Sequence, residues 1–253
     1  MIEGFLAVFV VGLIVGSFLN VVIYRIKDLS TIFYTRSKCP SCGQTLKWND
    51  LIPLFSFALL RAKCRYCKKP ISWQYPSVEF GTASLFALLF LLYGLSFATF
   101  FYALVFSILI VILVYDIKTQ YVPENFVWAA LILLFIGGGY ISGVGFANTL
   151  LGGVVGGGAP ALLVVLSKEK WMGAGDIKMG MILGLLVGYP VVLFGLLLSF
   201  VLGSAVGLFL IYSKKKTMQD TLPFTPFIII SGLLSLLYGS NVVNWYLFTL
   251  LKY

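Results

Sequence analysis

The sequence predicts an all-α polytopic membrane protein of about eight transmembrane helices, with a small cytoplasmic domain between the first two. Three observations lead there. Of 253 residues, 60% are hydrophobic and only 11% charged, whereas soluble chains keep roughly a quarter charged. Stretches such as 85–93, 97–115, 126–141, 150–166 and 191–212 are apolar on every face. The basic residues, finally, are confined to a few connecting segments.

The first span is expected at residues 4–24. No basic segment precedes it, and its end, "GSFLNVVIYR", stays apolar past Asn20 without a small-residue cleavage site. It therefore reads as a retained span and not as a secretory signal. Residues 25–76 are the only sizeable polar region. Further spans are expected at 78–93, 97–115, 125–142, 147–166, 177–189, 190–212 and 223–250. The 177–189 span is short, and the last is long enough to hold a break near Gly239. Three domains result: a first helix at 1–24, a cytoplasmic domain at 25–76 and a multi-span domain at 77–253.

Charge placement supports this count. Of 18 Lys and Arg, ten lie in 25–76, and with eight spans all but Lys252 fall on one side. The positive-inside rule makes that side the cytoplasm and puts both termini outside. The net charge of +9 thus needs no nucleic-acid partner, and it suits anionic lipid headgroups.

All four cysteines lie in the polar region, as "CPSC" (Cys39, Cys42) and "CRYC" (Cys64, Cys67). Two Cys-x2-Cys pairs separated by 21 residues resemble two knuckles closing one tetrahedral four-thiolate zinc site. A cytoplasmic location argues against stable disulfides. With no spare ligand evident, the metal is expected to fold the domain.

The chain has no histidine. That removes Ser-His and Cys-His nucleophilic pairs and every His-ligated catalytic metal. If the protein is a hydrolase, carboxylates or a lysine must do the work. Of nine acidic residues, Glu3 lies near the outer end of the first span, and Asp28, Asp50, Glu169 and Asp220 read as solvated charges in polar segments. Four sit at membrane edges: Glu79, Asp116, Glu124 and Asp176. A carboxylate in a first helical turn has an ordinary role as cap or dipole partner. Asp116 differs, because it ends its span, where negative charge opposes the helix dipole. Asp116 and Asp176 both map to cytoplasmic ends of spans and can face each other across a cleft. Two close carboxylates share a proton, one activating water while the other acts as acid: aspartyl-protease chemistry. Gly173 and Gly175 would admit a substrate strand beside Asp176.

Several motifs together carry a family resemblance: "GSFLNVVIYR", "CPSCGQTLKWNDLIPLFSF", "CRYCKKPISWQYPSVE", "YDIKTQYVPE", "GAGDIKMG" and "LPFTPF". In order and spacing they resemble the bacterial type IV prepilin peptidases, membrane aspartyl proteases of the Gly-x-Gly-Asp class, over nearly the whole chain. The resemblance puts the two catalytic aspartates at Asp116 and Asp176, and the zinc ligands at Cys39, Cys42, Cys64 and Cys67. Thr225 stands where the family commonly has glycine, in a Pro-Phe-Gly-Pro segment.

The resemblance also implies a substrate: the short basic leader of type IV prepilins or pseudopilins, cut after a glycine at the cytoplasmic face of the inner membrane. It implies, for many members, methyl transfer from S-adenosylmethionine to the new N-terminus, an activity associated with the large cytoplasmic region. No glycine-rich dinucleotide-type loop is present there. Gly16, Asn20 and Glu79 are the candidate contributors to a methyl-donor site. Two other classes remain open: an ion-coupled transporter, in which the aspartates would bind or relay a cation, and a non-catalytic assembly scaffold that docks a partner through its zinc domain. The halves show no convincing duplication, and both aspartates are present, which favours the peptidase.

Overall fold

A computed structural model describes residues 2–217 and 220–249, with only the backbone of Phe33; Lys252, expected alone on the outer side, lies outside them. Among the described residues the fold is helical throughout, with two isolated β-bridges and no strand. Among the described residues seven helices are long and apolar enough to cross a membrane: α1 (Ile2–Tyr24), α4 (Gln74–Tyr93), α5 (Phe97–Thr119), α6 (Glu124–Ile141), α7 (Phe146–Ser167), α9 (Val191–Tyr212) and α10 (Thr225–Thr249). Three short α-helices and one 3-10 turn (Trp48–Asp50) complete the order: α2 (Thr31–Tyr34) and α3 (Phe55–Leu59) with that turn in the polar region, and α8 (Ala174–Val187) between α7 and α9. This is a multi-pass membrane protein.

The chain divides into two compact units, Met1–Val111 and Ile112–Tyr253. In the first, α1 packs along α4. Close approach is possible because Gly12 and Gly16 lack side chains: a Cβ there would lie 2.6 Å from the Ala83 Cα and 2.7 Å from the Glu79 Cα. α4 stops at Gly94, which takes a positive φ of 62° and donates its N–H to the Phe90 carbonyl at 2.8 Å.

In the second unit α8 is the central element, packed by α6, α7, α9 and α10. It has 14 residues, so it spans about 21 Å, short of the ~30 Å hydrocarbon core. The span expected at 177–189 is therefore this shorter helix, begun three residues earlier. It tolerates its length because neighbours shield it: every residue from Ile182 to Val187 is buried. Gly152 and Gly156 of α7 meet Gly180 and Gly184 of α8 backbone to backbone, a small-residue seam. Around this centre, α9 turns Leu197, Val201, Leu208 and Phe209 outward, which suits lipid contact. The buried Ser199 and Ser231 hydroxyls join α9 to α10 at 2.7 Å.

The break expected near Gly239 does not occur. α10 is continuous from Thr225 to Thr249, and Gly239 serves instead to admit the Val191 side chain.

Candidate active site

Asp116 lies in the last turn of α5, 4% exposed. The helix ends just beyond it: Gln120 adopts a positive φ of 53° and donates its N–H to the Asp116 carbonyl at 2.8 Å. Val122, in the following extended segment, packs beside Gly175; a Cβ on that glycine would sit 3.5 Å from the valine side chain. Glu124 then opens α6.

Asp176 occupies the first turn of α8 and is half-buried. Gly173 is extended (φ −84°, ψ 157°) and donates its N–H to Asp176 Oδ2 at 3.1 Å. This reciprocal cap fixes the carboxylate at the positive end of the helix. Through the Val122–Gly175 contact the second unit sets Asp116, at a helix C-terminus, and Asp176, at a helix N-terminus, on neighbouring helix ends. Glu124 is not a third member: its Oε1 accepts from Lys178 Nζ at 2.7 Å, and that ammonium lies 5.7 Å from the Trp128 ring centroid. The pair instead pins the starts of α6 and α8.

In the first unit the cysteines converge, with ligand atoms of Cys39, Cys42, Cys64 and Cys67 within 4.8 Å of one another. The Cys39 and Cys67 sulfurs are 4.0 Å apart. A tetrahedral zinc with bonds of ~2.3 Å requires sulfurs about 3.8 Å apart, so this donor set fits after slight contraction. The two knuckles repeat one backbone design. Gly43 N–H donates to the Cys39 carbonyl at 2.9 Å, and Lys68 N–H to the Cys64 carbonyl at 3.0 Å. Each is closed by a short bridge, Lys38 with Thr45 and Lys63 with Pro70. Gly43 (φ 71°) and Lys68 (φ 59°) occupy the same left-handed position. The N–H groups of Cys67 and Tyr66 donate toward the Cys64 sulfur and lower its pKa to about 7, which favours the thiolate that binds metal.

Asp50, expected to be a solvated charge, is a latch on the second knuckle. Its side chain is 3% exposed and accepts from Arg65 Nε at 2.6 Å, Tyr66 Oη at 3.1 Å and Lys47 N at 3.2 Å. Burial alone would raise its pKa; the Arg65 guanidinium, the Lys47 N–H and the Tyr66 hydroxyl together hold it below the usual carboxylate range.

Gly16, Asn20 and Glu79 also converge in the first unit. Asn20 Nδ2 donates to the Gly16 and Tyr75 carbonyls (3.3 and 3.2 Å), and its Oδ1 accepts from Gln74 Nε2 at 3.1 Å. Glu79, buried, accepts the Leu54 N–H at 2.8 Å, and Leu54 carries a positive φ of 58°. Gln74 Oε1 is buried without a partner.

Residues 10–93 match the Bacterial Peptidase A24 N-terminal domain, and residues 103–208 match the Type IV leader peptidase family. A prepilin leader peptidase/N-methyltransferase of Pseudomonas putida is 31% identical over 264 residues, covering 92% of this chain and 90% of that protein. The chain belongs to the type IV leader peptidase family. Leader peptidases bearing the same name in Bacillus subtilis (29% identical over 242 residues, 94% of this chain and 96% of theirs) and Aeromonas hydrophila (28% over 271, 96% and 93%) match equally fully. No solved structure matches the chain. Both aspartates fall within the leader peptidase match, and the cysteines and the Gly16–Asn20–Glu79 group within the N-terminal match.

Proposed function

We propose that this chain is a membrane aspartyl endopeptidase that removes the basic leader of type IV prepilins or pseudopilins and N-methylates the new N-terminus. The observation that carries the reading is that Asp116 and Asp176 stand on helix ends joined by the Val122–Gly175 contact, in the unit that contains most of the leader peptidase match. The pair shares one proton. Asp176, capped by the Gly173 N–H at a helix N-terminus, is the carboxylate that takes a proton from water. Asp116, buried at a helix C-terminus, is the acid that protonates the leaving amine. A prepilin's apolar segment lies in the bilayer while its basic leader stays in the cytoplasm, which puts the scissile bond near the membrane surface. The protein resides in the inner membrane, with this site and the cysteine domain facing the cytoplasm.

Zinc at Cys39, Cys42, Cys64 and Cys67 is structural, ordering residues 25–76. S-adenosylmethionine supplies the electrophilic methyl group. Glu79, Asn20 and the unpartnered Gln74 Oε1 offer acceptors for a cationic, hydroxyl-bearing donor, beside the close approach at Gly16. The test is incubation of purified protein with a prepilin and S-adenosylmethionine, followed by mass spectrometry. A cut and methylated product is expected; an intact prepilin with folded, metal-loaded protein would refute the peptidase.

A further inference from the structure

The turn entering α10, "LPFTPF", is held from two sides. Phe224 packs on Phe200 with ring centroids 5.1 Å apart, and a Cβ on Gly203 would lie 3.3 Å from both Phe224 and Phe227. These contacts fasten the turn to α9. On its other side Thr221 Oγ1 donates to Gln120 Oε1 at 3.3 Å, and Gln120 is the residue that caps the Asp116 carbonyl. The segment is thereby drawn against the C-terminal end of α5. Between these anchors sits Thr225, 1% exposed, its hydroxyl directed at the Asp116 carboxyl. That hydroxyl closes no well-formed hydrogen bond with any group.

A buried, unpartnered hydroxyl carries a desolvation penalty that a native fold normally removes. Here the hydroxyl lies beside the Asp116 carboxyl, one member of the proposed proton-sharing pair. We propose that Thr225 is a positioning residue for cleavage: its hydroxyl engages the Asp116 carboxyl when substrate closes the site, fixing which oxygen presents the proton. The proposal rests on the assignment of Asp116 and Asp176 as the cleaving pair. It predicts that the hydroxyl, and not the methyl group, matters for turnover.

Three variants separate these possibilities in a prepilin cleavage assay on the full-length, metal-loaded protein. Thr225→Ser keeps the hydroxyl and should cleave at near wild-type kcat. Thr225→Val replaces the hydroxyl with a methyl of equal size and should lower kcat roughly tenfold with KM unchanged. Thr225→Gly leaves room for a water in its place and should fall between the two. Asp116→Asn, run alongside, reports on the underlying assignment. Wild-type kcat in Thr225→Val with a dead Asp116→Asn would overturn the positioning role alone. Equal loss in Thr225→Ser and Thr225→Val would also overturn it, because packing would then be the cause. An active Asp116→Asn would overturn both. If Thr225→Val fails to fold, the Ser and Gly variants decide by the same ordering.

Discussion

The cysteine cluster and the aspartate pair both concentrate ionisable groups in a chain poor in them, by opposite means. The cysteines are brought together by local backbone: two five-residue turns, each with a left-handed residue after its second cysteine, each closed by its own bridge. The aspartates come from helix ends far apart in sequence and meet only because α8 is buried at the centre of its unit. A local cluster owes its geometry to turn chemistry and survives as long as its metal is bound. An assembled pair owes its geometry to helix packing, so it can be disturbed from a distance. Stability should therefore concentrate in the first region and turnover in the second.

The largest effect is expected at the aspartates. Asp116→Asn or Asp176→Asn should each lower cleavage by about a thousandfold or more, because each removes half of a proton-sharing pair. Detergent-solubilised protein should stay folded and keep its metal. Near-normal turnover in either variant would dissolve the distinction between the regions.

Metal removal is the next lever. Cys39→Ser or Cys64→Ser should reduce bound zinc from about one per chain to nearly none and leave residues 25–76 open to protease. Elemental analysis with limited proteolysis reads both effects. Full metal content in either variant would show that the four thiols do not act as one site.

A smaller effect is expected at Asp50. Asp50→Asn should speed zinc release to a chelator several-fold at neutral pH, because the Arg65 and Tyr66 contacts hold the knuckle that carries Cys64 and Cys67. The folded-state pKa of Asp50 lies below its ordinary 3.8. Its contribution is thus complete above that value and lost as pH falls through the lower folded value. Acid titration of the domain should find wild type and variant differing fully above the ordinary 3.8 and converging only as pH falls well below it. A constant difference at all pH values would contradict the latch.

The smallest effect is expected at Lys178 and Glu124, a pair that is largely exposed. Glu124→Gln should change stability by roughly 0.2–1 kcal/mol and turnover little. A large loss of cleavage would mean that Glu124 belongs to the site.

Legibility followed the same division. The cysteine spacing and the apolar runs were readable because each leaves a signature in local pattern, and Asp116 and Asp176 stood out as candidates by their place at membrane edges. The shortness of α8 was visible, but its burial by four helices was not, since periodicity cannot distinguish a lipid-facing helix from an enclosed one. Gly239 suggested a break for the same reason: a glycine looks alike whether it bends a helix or admits a neighbour such as Val191. Asp50 and Thr225 escaped because their roles depend on partners at Arg65 and Asp116 that no spacing rule connects. Lys68 was hidden by its type, a lysine in the left-handed position that Gly43 fills in the first knuckle.

The proposed function assigns cutting to the aspartate pair and methyl transfer to the first unit. Asp176→Asn protein, supplied in parallel with intact prepilin and with a pre-cleaved pilin peptide plus S-adenosylmethionine, tests it in one mass-spectrometric measurement. The predicted result is an intact prepilin together with a peptide heavier by one methyl group. A cut prepilin, or a peptide left unmethylated by a folded protein that still binds the donor, would contradict it.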